Sequence, residues 1–552
     1  MTDPITSTRR EVLLAAAAGS AILGTAGSAA SAADLAAARK KAARRKRRII
    51  YNNDGDDIWT QGADTVEKFL AVRHDPLLDT QVDSVYYCTT QSFNLFTHGT
   101  RVAEQFLVRE ASFAHNNLGT FLRQGTDGLR MSCEFARRHG LEAIWTLRMN
   151  DIHDAFTPQF LSRWKKEDPR RIMSTPEAAG GFNDRRRLWT LADFEHPDVE
   201  PRLVAIVEEV LRNYPVDGIE LDWLRAPLFF RSHYQGGEVT GAQRDRLTGI
   251  AAALRRVVLR ESERQGKPFL LAARVPVSEA LCRRVGIDVA AWLEAGLVDV
   301  LAISGGYVVF DQPMRELIQL GHRHDVPVTP CVSQSGLVYR APRGNGEVCP
   351  PAAWAAAAQR CWDAGADGIY VFNLFAGPYS DWKDATGRGS AEAQKEYART
   401  ILRHVGAPGT LRKLDAAYAI SDAGGHMPSH FWAKDAEEFS RALPLALPPG
   451  VPTELPPLVV AARREALRGR DPLELRVDLA GLPREARVDA ALNGVPLESG
   501  LAPVPAAQVL RFRWPVRRAD VRPGQNRLVL TPSGAGAQAV GVELWIERAA
   551  PA

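Results

Sequence analysis

The stretch Asp217-Gly218-Ile219-Glu220-Leu221-Asp222-Trp223-Leu224-Arg225 carries the densest potential chemistry in the chain. In a β-strand, residues two apart share a face. Glu220 and Asp222 are therefore expected on one side, with Ile219 and Leu221 on the other. Two carboxyl groups held close disfavour each other's ionisation, and burial adds to the effect, so one of them is expected to titrate above the ordinary carboxylate range. Acid/base catalysis at neutral pH needs that difference, with one group holding a proton and the other free of it. The structural alternative is an ion pair of Asp222 with Arg148, Arg225 or Arg274 that only holds loops.

A repeating pattern along residues 48–405 indicates how such residues are positioned. Eight short apolar, β-rich runs (48–52, 82–88, 142–147, 218–222, 269–275, 298–303, 326–332 and 368–372) alternate with polar loops and helix-period segments. Repeated β-then-α units imply parallel strands with right-handed crossovers, and eight of them close into a barrel. The expected fold class is α/β, a (β/α)8 TIM barrel with a C-terminal all-β sandwich domain. An open, doubly wound sheet is the alternative.

In a barrel the chemistry sits at the C-terminal ends of the strands and in the loops that follow. These positions hold Asn52, Asp54 and Asp56 after the first run, Gln91 after the second, and Arg148 and Asn150 after the third. Trp223 and Arg225 follow the fourth, Arg274 ends the fifth, and Tyr307, Gln334 and Asn373 follow the sixth, seventh and eighth. With Trp59 they form the expected substrate-binding set. The expected catalytic set is Asp222, Glu220 and Asp54. Asp151, Asp154 and Asp311 are further candidates for a second carboxylate. The faces of Trp59, Trp189, Trp223, Tyr307 and Trp382 are suited to stacking on sugar rings.

The segment from Gly218 to Arg225, in which Asp222 precedes an aromatic residue and then an Arg, resembles the fourth-strand motif of the glycosyl-hydrolase-like barrel families. It is similar in particular to glycosyl-hydrolase-like family 10. It is also similar to the chitinase-type motif D-x-x-D-x-D-x-E, with Asp217, Glu220 and Asp222 in the first three places. Leu224 stands where that motif has its acid, and Ser333-Gln334 supplies no carboxylate at the end of the seventh run. The resemblance covers the barrel. It implies a glycoside hydrolase that cleaves an oligo- or polysaccharide by carboxylate acid/base catalysis and needs no cofactor or metal. Two alternatives stay open: a non-catalytic carbohydrate-binding protein on a degenerate barrel, and a metal-dependent hydrolase using Asp54, Asp56 and His153.

Composition sets the outer limits. The chain has 552 residues, 45% hydrophobic and 24% charged, which suits two globular domains. Its formal net charge is +4, but a basic run between Arg39 and Arg48 supplies the excess and the remainder is slightly acidic. A nucleic-acid partner is therefore not expected. Residues 1–33 carry Arg9-Arg10, an apolar stretch and Ala30-Ser31-Ala32, and resemble a twin-arginine signal. That implies recognition by the twin-arginine export machinery, a periplasmic or extracellular location, and no stable membrane insertion once the signal is removed. The six cysteines include no C-x-x-C pair and are read as buried thiols. The expected divisions are a signal (1–33), a basic linker (34–47), the catalytic barrel (48–405), a connector (406–457) that is Pro-rich around Leu443 to Pro457, and the β-sandwich (458–552).

Overall fold

The computed structural model describes residues 31–155, 157–179, 188–305, 313–333, 349–372, 374, 390–420, 443–461, 472–498, 501–506 and 509–548. Eight parallel strands close into one barrel: β1 Ile49–Asn53, β2 Val82–Cys88, β3 Glu142–Arg148, β4 Gly218–Asp222, β5 Leu270–Pro276, β6 Val300–Ser304, β7 Val328–Ser333 and β8 Ile369–Phe372. Each pairs with its neighbour in sequence, and β8 returns to β1 through Ile49 beside Ile369. This closure excludes the open sheet. The strand bounds fall within two residues of the eight apolar runs.

Alternation along the strands separates two apolar regions. Ile49, Tyr51, Val85, Tyr87, Trp145, Leu147, Ile219 and Leu221 point outward into the main core against the helices. Ile50, Tyr86, Ile144, Ala272, Val300, Ala302, Cys331, Tyr370 and Phe372 fill the lumen. The barrel is thus packed across its middle, which leaves its two ends for polar groups. Gly218 opens β4 because a Cβ there would lie 2.4 Å from the Leu270 carbonyl oxygen on β5.

The stretch expected to be a basic linker is structured instead. Ala32–Ala43 is a helix capped by Ser31 and Asp34. Arg47 is buried and grips Glu142, at the start of β3, through Nε and Nη2 at 2.7 Å each, while its Nη1 donates to the Ala43 carbonyl at 2.7 Å. Ser84 Oγ donates to the same carboxylate at 2.7 Å. Arg39 reaches Asp299 at 3.3 Å, and Arg255 holds Asp299 with two bonds of 2.7 and 2.8 Å. Part of the basic run therefore closes the N-terminal end of the barrel. Removing one partner of a buried pair costs about 3 to 5 kcal/mol, so these arginines are integral to the fold.

The chain after the barrel forms separate antiparallel sheets. The larger one runs Ala416–Ala419, Ala537–Ile546, Leu473–Ala480, Val509–Pro515, Leu501–Ala506, with Leu445–Leu447 also paired to Ala537–Ile546. A second contains Thr453–Glu454, Leu528–Pro532, Val488–Leu492 and Val495–Pro496. Three of these strands lie within the stretch expected to be a connector. Ala356, on the barrel helix Pro351–Ala364, shares an apolar cluster with Tyr418, Leu475 and Leu544, so the sheets pack directly on the barrel. All six cysteines are buried and none forms a disulfide. Among the described residues, no helix is long and apolar enough to cross a membrane.

Candidate active site

The register of the barrel sets the polar groups of its C-terminal mouth side by side. Asp222 at the end of β4 lies level with Arg148 on β3 and Arg274 on β5, and Glu220 lies level with Thr146 and Ala272. Arg274 donates to Asp222 from Nε at 2.9 Å and from Nη2 at 2.6 Å. The backbone N–H of Leu224 donates to the same carboxylate at 3.0 Å. Both Asp222 oxygens are therefore engaged, and the residue is almost fully buried. The Arg274 guanidinium lies 4.3 Å from the centre of the Phe372 ring, which covers it from β8.

Glu220 is surrounded differently. Thr146 Oγ1 and Tyr370 OH donate to its Oε2 at 2.8 and 3.0 Å, while Oε1 is buried without a hydrogen-bond partner. Burial, reinforced by the neighbouring Asp222 charge, pushes the Glu220 carboxyl up from 4.5 to about 7. Strand alternation does place Glu220 and Asp222 on one face. The structure then distinguishes them, with one clamped by a guanidinium and the other left deeper among hydroxyl groups.

Arg148 organises the other half of the mouth. Its Nη2 donates to Asp54 at 2.7 Å and its Nη1 to Asp151 at 3.0 Å, which links the loops after β1 and β3. Asp54 is the more open carboxylate, its side chain 15% exposed. Burial works against its charge, but Arg148, Arg225, Arg274 and Arg73 together hold it below the usual carboxylate range. Gly55 makes this turn possible, with φ +76° and a hypothetical Cβ only 1.9 Å from the Cys88 carbonyl oxygen. Asp151 is fully buried and held well below its ordinary range despite burial, chiefly by His153 and Arg148.

The remaining expected site residues fall into three groups. Gln91 and Asn52 are buried near these strand ends, each with one side-chain polar atom lacking a hydrogen-bond partner (Nε2 and Oδ1). Asp56, Trp59, Asn150 and Trp223 are committed elsewhere. Asp56 bonds Arg73. Trp59 packs edge-on against Phe106 and Phe113 at 5.6 and 5.0 Å. Asn150 donates to the Ala192 and Leu228 carbonyls at 3.0 and 2.9 Å and accepts from Ala192 N–H at 2.8 Å, fastening the long loop after β3. Trp223 points outward, packed against Phe229 and Trp292 at 5.4 and 5.2 Å. Tyr307, Gln334 and Asn373, with Asp311 and Trp382, lie outside the described residues.

The catalytic expectation did not include Thr146, Tyr370 or the Asp151–His153 contact. Their signal in the sequence was strand alternation, which points Thr146 and Tyr370 inward, but nothing local selects Glu220 as their partner. Among the described residues, no three His, Cys, Asp or Glu side chains are grouped so as to hold a metal ion.

The fold and site define an eight-stranded parallel α/β barrel with a charged C-terminal mouth. No family model matches the chain, and no curated protein matches it. Solved structures similar to it include the glycoside hydrolase domain of PgaB (BpsB) from Bordetella bronchiseptica, 13% identical, TM-score 0.39, covering 65% of this chain and 98% of that one. Alpha-L-fucosidase isoenzyme 2 from Paenibacillus thiaminolyticus is 12% identical, TM-score 0.40, covering 64% of this chain and 49% of its own, so the match spans about half of that enzyme. Catalytic domain 2 of the Ostrinia furnacalis Group II chitinase is 11% identical, TM-score 0.35, covering 65% and 96%. Likenesses this remote transfer neither a substrate nor a mechanism.

The raised Glu220 carboxyl makes stability depend on pH. The folded chain keeps this proton up to about pH 7, whereas an unfolded glutamic acid releases it near 4.5. The contribution is therefore complete below about pH 4.5 and is lost as pH rises through 7. Glu220→Gln should flatten this part of the profile. Chemical denaturation at pH 5 and pH 8 checks it: the wild type should lose more stability than the variant across the interval, by an amount on the order of 1 to 3 kcal/mol. Equal losses would show that Glu220 does not titrate in this range.

Proposed function

We propose that the chain is a glycoside hydrolase that cleaves an oligo- or polysaccharide at the C-terminal mouth of its barrel. One observation carries the reading: β4 sets two carboxyl groups on one face, with Asp222 held by Arg274 and Glu220 raised to about 7. A pair of carboxyl groups in such unlike surroundings is the arrangement from which acid and base roles arise. Glu220 is the candidate proton donor, and Asp222, with the more open Asp54, supplies the charged partner. Such a pair flanks the scissile bond at about 5 to 5.5 Å in retaining enzymes and about 6.5 to 9.5 Å in inverting ones. Arg148, Arg225 and Arg274 then fix the carboxylates and orient substrate hydroxyl groups at the rim. The fourth-strand resemblance to glycosyl-hydrolase-like family 10, carried by Gly218 to Arg225, is in keeping with the hydrolase class and assigns no role to Glu220.

The same reading includes export. Arg9-Arg10 ahead of an apolar stretch supports passage by the twin-arginine route, followed by cleavage near Ala33. Ser31 and Asp34 also cap the first helix, so cleavage there would remove the Ser31 cap. With both arginines changed to lysine, processed protein should no longer accumulate outside the cytoplasm; its continued appearance there would exclude this route.

A second reading has its own support. The bidentate Arg274 clamp occupies both oxygens of Asp222, as a purely structural ion pair would. In that case the barrel binds sugar without cutting it. A panel of oligosaccharides, assayed for reducing-end release by wild type, Asp222→Asn and Glu220→Gln, separates the two. Hydrolysis predicts turnover by the wild type and a fall of about 10²- to 10⁴-fold per folded molecule in at least Asp222→Asn. The per-molecule basis matters because the substitution weakens a buried pair. Saturable binding without cleavage, or an Asp222→Asn protein that melts early yet turns over normally, would contradict the proposal.

A further inference from the structure

His153 has no task in the carboxylate mechanism, yet it is held as a proton-transfer residue would be. Its backbone N–H donates to Asp151 Oδ1 at 2.8 Å, and its ring Nδ1 meets the same oxygen. The other Asp151 oxygen accepts Arg148 Nη1 at 3.0 Å and lies 3.5 Å from Arg225 Nε. The carboxylate that orients the ring is thus anchored on both sides. On the far edge of the ring, Nε2 stands 3.2 Å from Arg225 Nη2. Arginine only donates, so Nε2 must be the bare acceptor and the ring proton must sit on Nδ1, facing Asp151. Asp151 is 0% exposed and His153 30% exposed, so the dyad has a buried orienting end and an open reactive end.

We propose that His153, oriented by Asp151, is a general base of the barrel mouth that takes a proton from the attacking water. This rests on the hydrolase reading above. Water displaces Arg225 from Nε2 and gives that nitrogen a proton as its oxygen bonds to the anomeric carbon. The glycosidic C–O bond breaks, and the departing oxygen takes the proton of the acidic carboxyl group. Solvent then carries the proton from the imidazolium back to that carboxylate, which restores both groups. The charged groups that face the ring are Asp151 at Nδ1 and Arg225 at Nε2, with Arg148 behind Asp151 and itself paired with Asp54 at 2.7 Å. A buried carboxylate on Nδ1 with Nε2 facing the reaction is the division of labour that makes histidine an effective base.

Two measurements on the full chain test this. Imidazole ¹⁵N spectra of wild type, with the His153 signals assigned by their loss in His153→Gln, should show the Nδ1–H tautomer, and Asp151→Asn should weaken that preference and shift both ring-nitrogen signals. An Nε2–H ring in the wild type, or a ring indifferent to Asp151→Asn, overturns the dyad whether or not a substrate is known. On a sugar that the wild type cleaves, His153→Gln should lower kcat by about 10²- to 10⁴-fold with KM changed less than about threefold, and should remove the acidic limb of the kcat/KM pH profile. Asp151→Asn should displace that limb. Retention of kcat and of the limb in His153→Gln overturns the proton-transfer role and leaves the hydrolase reading intact. No cleavage of any sugar by the wild type, with the Nδ1–H tautomer in place, overturns the hydrolase reading and this role with it.

Discussion

Charge inside a barrel must be paired, because an isolated buried ion costs several kcal/mol that nothing returns. The mouth of this barrel depends on how two guanidinium groups meet that constraint. Arg274 holds Asp222 across β4 and β5, and Arg148 holds Asp54 and Asp151 across the loops after β1 and β3. Each carboxylate takes its orientation from its arginine. His153 takes its own from Asp151, and the raised Glu220 carboxyl reflects its burial first and then the Asp222 charge above it. Without these two arginines the mouth would hold several anions facing one another with no fixed geometry.

The same constraint operates at the opposite end. Arg47 closes on Glu142, and Arg39 and Arg255 close on Asp299. The lumen between the two ends is apolar and contains Tyr86 and Tyr370. Glu220 lies at the boundary of this plug, where burial and the neighbouring Asp222 charge outweigh the hydroxyl bonds from Thr146 and Tyr370 and account for a proton that ordinary glutamate would have lost. A packed middle and two ion-paired ends give a rigid frame, and reactive groups need such a frame to be held in register.

Periodicity in the sequence makes much of this legible. Eight apolar runs became eight strands, and two-residue spacing put Glu220 with Asp222. The same rule argues against Trp223 as a sugar platform, since the residue after an inward Asp222 faces out, where it packs on Trp292. Partners distant in sequence were not legible. Arg47 finds Glu142 95 residues away, so a run that reads as a solvated linker is buried. Asp56 turns to Arg73 and Asn150 to two carbonyls, commitments that loop composition does not encode. The Pro-rich connector likewise supplies strands, because its short β pairings depend on Ala537–Ile546 and Leu528–Pro532 far downstream.

The proposed function requires Asp54, Glu220 and Asp222 to surround a scissile glycosidic bond. A crystal structure of the chain with a thio-linked oligosaccharide, which resists hydrolysis, tests it most directly. The expected result is a sugar at the ends of β1, β3 and β4, its anomeric carbon between two of the carboxyl groups of Asp54, Glu220 and Asp222. A sugar bound only on the C-terminal antiparallel sheets, or one seated in the mouth with its linkage beyond reach of all three groups, would contradict it.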